Sequence, residues 1–254
     1  MKQFLVFYKK EFYEGMKTKR LMISGIVFII LGIMNPFIAK VTPEIMKNAL
    51  PKGVTIKLAE PTSLDSWTQF FKNINQLGVI VLLILFCEIL SKEVERGTLI
   101  PLLTKGLSRR VVILSKLFYM WSVWTVVLLI SFFITYGYTI FYFPDNLSVH
   151  LFSAIFSLWI FGMLLFALLL FSSILTRSGF QGLMIVAVFY AVGLFSVLFT
   201  KIDTYNPFVL STKNMDFLKG TASFDEYYPA VLISFLLIIL CLVAAVKQFD
   251  KKKI

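Results

Sequence analysis

The chain has few of the residues from which enzyme sites and disulfide frameworks are built. It contains one histidine, His150, and two cysteines, Cys87 and Cys241. A single histidine excludes a multi-histidine metal site, and cysteines inside apolar stretches behave as small hydrophobic groups. No Gly-x-x-x-x-Gly-Lys-Ser/Thr sequence occurs, so the chain lacks the usual loop for binding ATP phosphates. We therefore predict no catalytic residue, no metal ligand and no cofactor in this chain.

Charge is absent from the middle of the long apolar runs. Apolar residues make up 58% of the 254 residues, and the mean hydropathy is +0.84. This composition is typical of integral membrane proteins, in which a span needs about 20 mostly apolar residues. Carriers driven by protons or sodium usually hold ionisable residues inside their spans, so the uncharged middles disfavour that class. Six windows are long enough to span a bilayer, at about 21–39, 73–90, 111–143, 151–176, 180–200 and 229–246.

Positive charge falls on one side of these windows. If both termini are cytoplasmic, the inner segments hold 17 of the 25 Lys and Arg and six of the 14 acids, which is the whole net charge of +11. The outer segments hold eight of each. This asymmetry follows the positive-inside rule, with anionic lipid headgroups as the partner of the basic side. We predict a multi-pass protein of the bacterial plasma membrane, with both termini cytoplasmic and no nucleic acid partner.

Residues 1–20 are predicted to form an amphipathic helix ahead of the first span. Four apolar residues recur at the spacing of one helical face, namely Phe4, Tyr8, Phe12 and Met16. One interpretation places this helix in the headgroup region with its rings towards lipid. The other adds contact with a cytoplasmic partner. Residues 21–254 are predicted to form a single six-span membrane domain.

Two outer segments connect the predicted spans. The first contains helix-breaking residues and is predicted to be irregular at its start, around Pro43, Pro51, Gly53 and Pro61. A helix capped by Thr62 or Ser63 then follows. Its aromatic residues are predicted to anchor the second span at the membrane interface, through Trp67, Phe70 and Phe71. The second outer segment, 201–228, is predicted to be a small structured cap.

The connection between the second and third windows, residues 93–110, carries strong helix signals. Thr98 is a good N-cap, and Gly106 suits the left-handed residue that ends a helix. The pattern predicts a short helix over Leu99–Lys105, after which Ser108 begins the next helix. Composition alone favours the alternative, a solvated loop whose arginines face lipid.

This connection also resembles a motif of the ABC-2 type transporter permeases, the membrane subunits of ATP-binding-cassette exporters. The matching residues are Glu95, Gly97, Thr98, Leu99, Leu102, Leu103, Thr104, Leu107, Ser108 and Arg109, followed by Lys116. The six-span plan, the amphipathic first helix and Asn206-Pro207 before the last span match as well. The resemblance implies an all-α membrane fold of the type V exporter kind, with a short cytoplasmic coupling helix between spans 2 and 3. The family more often has proline where Gly106-Leu107 stand here.

In that family the coupling helix docks on a separate nucleotide-binding subunit. The resemblance implies a docking surface made of Glu95, Arg96, Gly97, Thr98, Leu99, Leu102, Leu103 and Arg109. The partner ATPase would bind ATP and Mg, and a second permease, identical or different, would complete the pump. The implied function is ATP-driven export of an amphiphilic or lipid-like cargo, such as a peptide, an antimicrobial, a drug or a lipid. The alternative is an ATP-independent membrane channel or scaffold.

Uncharged polar residues in the windows are candidates for a cargo path. For Gly, Ser and Thr the default role is close helix packing, whereas an unpaired amide is costly in lipid. In the resembling family the path forms between two permeases, mainly from the second and fifth spans. Three amides of this chain begin those spans and are the predicted path residues, Asn75, Gln76 and Gln181.

Overall fold

The apolar runs become long helices in a computed structural model that describes residues 2–49, 60–145, 147–198 and 200–252. These residues form helices and turns, without strands. The α-helices are α1 (Lys2–Lys17), α2 (Arg20–Ala49), α3 (Ser63–Asn73), α4 (Val79–Phe86), α5 (Ser91–Glu95), α6 (Ile100–Thr104), α7 (Arg109–Tyr142), α8 (Leu151–Leu175), α9 (Gly179–Ser196), α10 (Val209–Thr212), α11 (Asn214–Lys219) and α12 (Tyr228–Lys251). A π-helical turn, Ile74–Gly78, joins α3 to α4, and 3₁₀ turns occupy Thr200–Tyr205 and Phe224–Tyr227.

Six helical segments of the described chain are long and apolar enough to cross a membrane. They are called spans 1 to 6 and comprise Arg20–Ile45, Ser63–Glu95, Arg109–Tyr142, Leu151–Leu175, Gly179–Ser196 and Phe224–Lys251. A helix satisfies its backbone hydrogen bonds internally, which a lipid-exposed segment requires. The prediction of an all-α fold with six spans is confirmed.

One end of the bundle brings together α1, the connection 93–110 and the last turn of α12. Gln3 Nε2 donates to the carbonyl oxygen of Gly106 at 3.2 Å. Arg109 Nη1 donates to the carbonyl oxygen of Lys252 at 2.8 Å. We call this the terminal end, because the start of the first helix and the end of the last helix both lie there.

The opposite end, called the distal end, holds the ends of spans 1, 3 and 5 and the starts of spans 2, 4 and 6. Asp145 Oδ2 accepts from the backbone N–H of Ser63 at 2.7 Å, which fixes the start of α3. His150 N donates to the carbonyl oxygen of Leu218 at 3.4 Å. The predicted structured cap is present here as α10 and α11, with a 3₁₀ turn on each side.

Spans 3 and 4 approach each other closely in the middle of the bundle. A Cβ atom on Gly162 would lie 2.4 Å from Cε2 of Trp124, so only glycine fits against this ring. Trp124 Nε1 donates to the carbonyl oxygen of Trp159 at 3.0 Å, and Trp159 Nε1 donates to Thr125 Oγ1 at 2.8 Å. Small residues let helices pack closely in lipid, and the indole N–H groups then find partners across the contact.

Span 1 is longer than predicted, because α2 continues through Pro36 and Pro43. The predicted irregular stretch is therefore wrong as far as the end of α2. Residues 50–59 lie outside the described chain, and residues 60–62, which include Pro61, are not helical, as predicted. Proline has no N–H for the carbonyl four residues earlier, which for Pro36 is Gly32. Thr135 Oγ1 of α7 donates to this carbonyl oxygen at 3.0 Å. The neighbouring helix thus replaces the missing bond and lets the helix continue.

The aromatic residues at the start of span 2 lie inside the bundle, so the predicted interfacial anchor is wrong. Trp67 and Phe70 are fully buried, and Phe71 is only 3% exposed. The Trp67 ring lies 5.5 Å from the Phe132 ring of α7, measured between centroids. The helix containing them begins after Thr62, as predicted. Its aromatic face packs on α2 and α7 instead of meeting the membrane interface.

Candidate functional site

The aromatic face of α1 packs against α7. The hydroxyl groups of Tyr8 and Ser122 lie 2.7 Å apart, within hydrogen-bond distance. Phe12 contacts Tyr119 edge to face, with 5.0 Å between ring centroids. The prediction that these rings face lipid is wrong for Tyr8 and Phe12, because they fill the contact between two helices. Met16, at the end of the same pattern, is 68% exposed.

Charged side chains of α1, α5 and α7 meet beside this contact. This ion cluster consists of Lys10, Glu11, Glu14, Glu93 and Lys116. Lys116 Nζ lies 2.9 Å from Glu11 Oε1 and 2.6 Å from Glu93 Oε2. The second contact lacks the alignment of a hydrogen bond and is an ion pair. Lys10 Nζ lies 3.0 Å from Glu11 Oε1 and 2.7 Å from Glu14 Oε2, and it also contacts Glu93.

Two members of the ion cluster are withdrawn from water. The side chain of Lys116 is fully buried, and that of Glu11 is 2% exposed. Lys116 Nζ also donates to the carbonyl oxygen of Ile89 at 2.8 Å. Burial lowers the pKa of Lys10, but the carboxylates around it outweigh burial and raise the pKa above its ordinary value. Buried charges persist only when they are paired, so the cluster ties three helices together.

The carboxylates of the ion cluster are close enough to hold a cation. One oxygen each from Glu11, Glu14 and Glu93 lies within 4.8 Å of the others. The ammonium groups of Lys10 and Lys116 already contact these carboxylates and supply the positive charge. Chemically, the arrangement is therefore a network that joins helices rather than a vacant metal site.

The connection 93–110 folds as a short helix between two glycine turns. Gly97 has φ +65° before α6, and Gly106 has φ +90° after it, both in the left-handed region that glycine adopts without strain. α6 is one residue shorter at each end than predicted. Thr98 does not cap it, because its hydroxyl donates back to the carbonyl oxygen of Glu93 at 3.2 Å. Ser108 precedes α7, as predicted.

The structure separates the predicted docking residues by exposure. The exposed ones are Glu95, Arg96, Thr98 and Leu102, and the partly buried ones are Gly97, Leu103 and Arg109. Leu99 is 1% exposed and faces the bundle. Ile100, which the motif did not include, is 44% exposed beside Leu102 at 39%. α6 therefore presents two apolar side chains outward and is held from behind by Leu99. The docking role of these residues stays a prediction.

The ion cluster was not predicted from the sequence, although one signal for it was present. Glu11 lies four residues after Phe7 and three after Tyr8, on the apolar face of α1. A charge on an apolar face must find a partner when that face is buried. The sequence did not indicate that its partners are Lys116, far along the chain, and Glu93 rather than the motif residue Glu95.

A cavity of about 370 Å³ opens at the distal end between span 2, span 5 and the α10–α11 cap. Asn75 and Gln76 line it from the π-helical turn of span 2. Asn75 Nδ2 donates to the carbonyl oxygen of Ser211 at 3.0 Å, which links span 2 to the cap. Lys72, Tyr190 and other residues complete a lining that is partly polar and partly apolar. Short π-helical turns are often found at functional sites.

The third predicted path residue, Gln181, lies at the other end of the bundle. Its backbone N–H donates to Ser178 Oγ at 3.3 Å at the start of span 5, and its side-chain oxygen accepts from the N–H of Arg177 at 3.3 Å. Span 2 begins at the distal end, whereas span 5 begins at the terminal end. The structure therefore brings Asn75 and Gln76 together and leaves Gln181 apart from them.

A bundle of six helices that are long and apolar enough to cross a membrane is the architecture of a multi-pass membrane protein. The sequence profile of the family described as "ABC-2 family transporter protein" matches residues 5–253, and the chain belongs to this family. Members of this family are membrane permease subunits of ABC transporters. Such subunits are transport components that normally lack their own ATPase and partner with an ABC ATPase subunit.

A relative from Bacillus subtilis (strain 168) is also similar to this chain. It is the "Uncharacterized transmembrane protein YxlG", which is 24% identical over 168 residues. The alignment covers 63% of this chain and 64% of the relative, so the chain matches slightly less than two thirds of that protein.

Proposed function

We propose that this chain is the permease half of an ATP-driven exporter and that α6 receives the movement of an ABC ATPase. One observation carries the proposal. α6 exposes Ile100 and Leu102 between two left-handed glycine turns, while Glu93 just before it is fixed in the buried ion cluster. An exposed apolar pair on a short, firmly attached helix suits docking into a groove of a partner.

The ion cluster supplies the rigidity that such a movement needs. Separating α1, α5 and α7 would leave the buried charges of Glu11 and Lys116 unpaired, which is strongly unfavourable. A push on α6 would therefore shift these helices together instead of bending the connection. In the proposed pump, two permeases and two ATPases assemble, the ATPases bind ATP and Mg, and their closure draws the two α6 helices together.

The charge distribution supports a cytoplasmic position for the terminal end. This end carries the start of α1, the end of α12, the connection 93–110 and most of the Lys and Arg of the described chain. Basic segments face the cytoplasm and its anionic lipid headgroups. The proposed location is the bacterial plasma membrane, with transport from the terminal end to the distal end.

The distal cavity supports an amphiphilic cargo. Lys72 and Asn75 offer a charge and an amide, whereas Ile80 and Leu194 offer apolar surface in the same cavity. A molecule with a polar head and an apolar body matches both parts. Gln181 at the terminal end and Asn75 at the distal end would then lie at the two ends of one route, completed by the second permease.

Docking through α6 predicts that two substitutions there separate the permease from its ATPase. With Glu95→Lys and Leu102→Asp combined, co-purification of the ATPase should fall about tenfold or more, as for central interface residues. The matched control combines Glu44→Lys and Leu147→Asp, which change an exposed acid and a 44% exposed leucine at the distal end. The control should retain the ATPase. Equal co-purification for both double variants would contradict docking through α6.

Export itself is tested in vesicles that contain the assembled complex and a panel of fluorescent lipids, peptides and drugs. The proposal expects movement of at least one amphiphile that requires ATP hydrolysis. The ATP-independent channel or scaffold predicts the opposite result, in which the chain extracts without an ATPase and any permeation is the same with and without ATP.

A further inference from the structure

Arg109 bonds to the end of α12. Its Nη1 donates to the carbonyl oxygens of Phe249 at 2.5 Å, Asp250 at 3.1 Å and Lys252 at 2.8 Å. The last carbonyls of a helix have no partner within it and carry the negative end of the helix dipole. The guanidinium at the start of α7 therefore caps the last span from outside and has its donors directed into the bundle.

Lys252 caps the end of α8 in the same way. Its Nζ donates to the carbonyl oxygens of Ile174 at 3.0 Å and Thr176 at 3.5 Å, at the end of α8. Burial lowers the pKa of Lys252, as expected for an ammonium group partly withdrawn from water. The carbonyl of Lys252 is meanwhile one of the acceptors of Arg109. The two side chains thus connect α7 to the end of α12, and α12 to the end of α8, in series.

This series begins close to α6. Arg109 lies three residues after Gly106, whose left-handed turn ends α6. A displacement of α6 would therefore reach the Arg109 guanidinium through a very short stretch of chain. The adjacent Arg110 is exposed, and within the described part of the chain no hydrogen bond joins its side chain to α12. Arg110 is therefore the surface arginine against which the linked Arg109 can be compared.

We infer that Arg109 is a positioning residue and not part of the surface that contacts the ATPase. It transmits movement of α6 directly to span 6 and, through Lys252, to span 4. This inference rests on the proposed function, because the movement comes from the partner ATPase. It corrects the assignment of Arg109 to the docking set, whose exposed members lie on and before α6. Arg109 and Lys252 together would make the terminal ends of three spans respond as one unit.

The first test uses the purified chain without any ATPase. Backbone hydrogen exchange is compared for Arg109→Ala, Lys252→Ala and their neighbours Arg110→Ala and Lys251→Ala. Arg109→Ala should speed exchange over 249–252, and Lys252→Ala should speed it over 174–176. The two neighbouring variants should match the wild type. Unchanged exchange in Arg109→Ala would overturn the link, whatever the partner of the chain proves to be.

The second test uses the assembled complex in vesicles and measures co-purification, ATP hydrolysis and cargo moved per ATP. Arg109→Ala should keep wild-type assembly and hydrolysis, while cargo moved per ATP falls about fivefold or more. Arg109→Lys, which retains a donor at the helix end, should recover part of this loss. A parallel loss of ATPase binding in Arg109→Ala would assign the residue to docking and overturn the inference. Absence of an ATPase from the wild-type preparation would instead contradict the proposed function.

The same transport assay also tests whether the two links act in series. If Lys252 transmits the movement that reaches it from Arg109, the two substitutions should not add. The double alanine variant should then move no less cargo per ATP than whichever single variant moves less. Losses that multiply in the double variant would show two independent contacts and overturn the series.

Discussion

Replacing Lys116 with alanine is expected to destabilise the protein by about 3–5 kcal/mol, the cost of leaving buried charges without their partner. Lys116 is fully buried and pairs with Glu11 and Glu93 while donating to the carbonyl oxygen of Ile89. Its removal leaves Lys10 as the cation of a cluster with three carboxylates. The effect is measured as the free energy and midpoint of unfolding of the purified chain in detergent.

The matched control for this prediction is Lys92→Ala. Lys92 pairs with Glu88 at 3.4 Å, and their side chains are 43% and 54% exposed. Exposed pairs contribute about 0–1 kcal/mol, so this variant should unfold close to the wild type. A triple variant with Lys116→Met, Glu11→Gln and Glu93→Gln should recover much of the loss, because it removes the charges together. Equal stability of Lys116→Ala and Lys92→Ala would show that the buried cluster does not hold the helices.

Replacing Gly162 with alanine is expected to give the second large effect, about 2–3 kcal/mol of destabilisation from overpacking. The added Cβ would lie 2.4 to 2.6 Å from three atoms of the buried Trp124 ring. The ring would have to move, and its hydrogen bond to the carbonyl oxygen of Trp159 would weaken. Spans 3 and 4 should therefore separate more easily, which chemical unfolding in detergent measures.

Gly137 provides the control for this steric argument. It lies in the same long helix as Trp124, and apart from its chain neighbours and the adjacent backbone of its own helix no described atom lies within 4 Å of the Cβ that alanine would add there. Alanine is a better helix former than glycine by about 1 kcal/mol, so Gly137→Ala should be neutral or stabilising. Combining Gly162→Ala with Trp124→Phe should recover part of the lost stability, since the smaller ring leaves room for the methyl group. A stable Gly162→Ala single variant would contradict the close contact.

The spans and the short helix were predictable because they depend on local properties of the sequence. Apolar runs without charge set the six spans, and Gly97 and Gly106 mark the two turns around α6. These signals act through the backbone and its immediate neighbours. Tertiary contacts can shift such elements by a residue or so, as at the ends of α6, without removing them.

The predictions that were wrong concern residues whose hydrogen-bond partner or covering surface comes from another helix. Pro36 did not end span 1, because the hydroxyl of Thr135 on α7 bonds the carbonyl that proline leaves free. Trp67 looked like an interfacial residue, but α2 and α7 cover it completely. Neither partner can be identified from the sequence around the residue itself.

In the candidate site as well, the local structure was predictable from the sequence and the contacts between helices were not. The sequence predicted a short docking helix within 93–110, and the chain does fold there as a short helix with exposed apolar residues. It indicated neither the pairing of Glu93 with Lys116 nor the direction in which Arg109 points. Both depend on which helices meet at the terminal end, and that arrangement is fixed by packing over the whole bundle.

Photo-crosslinking from α6 tests the central claim most directly. A photoreactive amino acid is placed at Leu102 on α6, and in a separate variant at Phe141, which is 77% exposed near the distal end of α7. In the purified complex, the probe at position 102 should form an adduct with the ATPase subunit, and the probe at position 141 should form none. A complex that retains its ATPase but gives no adduct from position 102, or equal adducts from both positions, would contradict docking through α6.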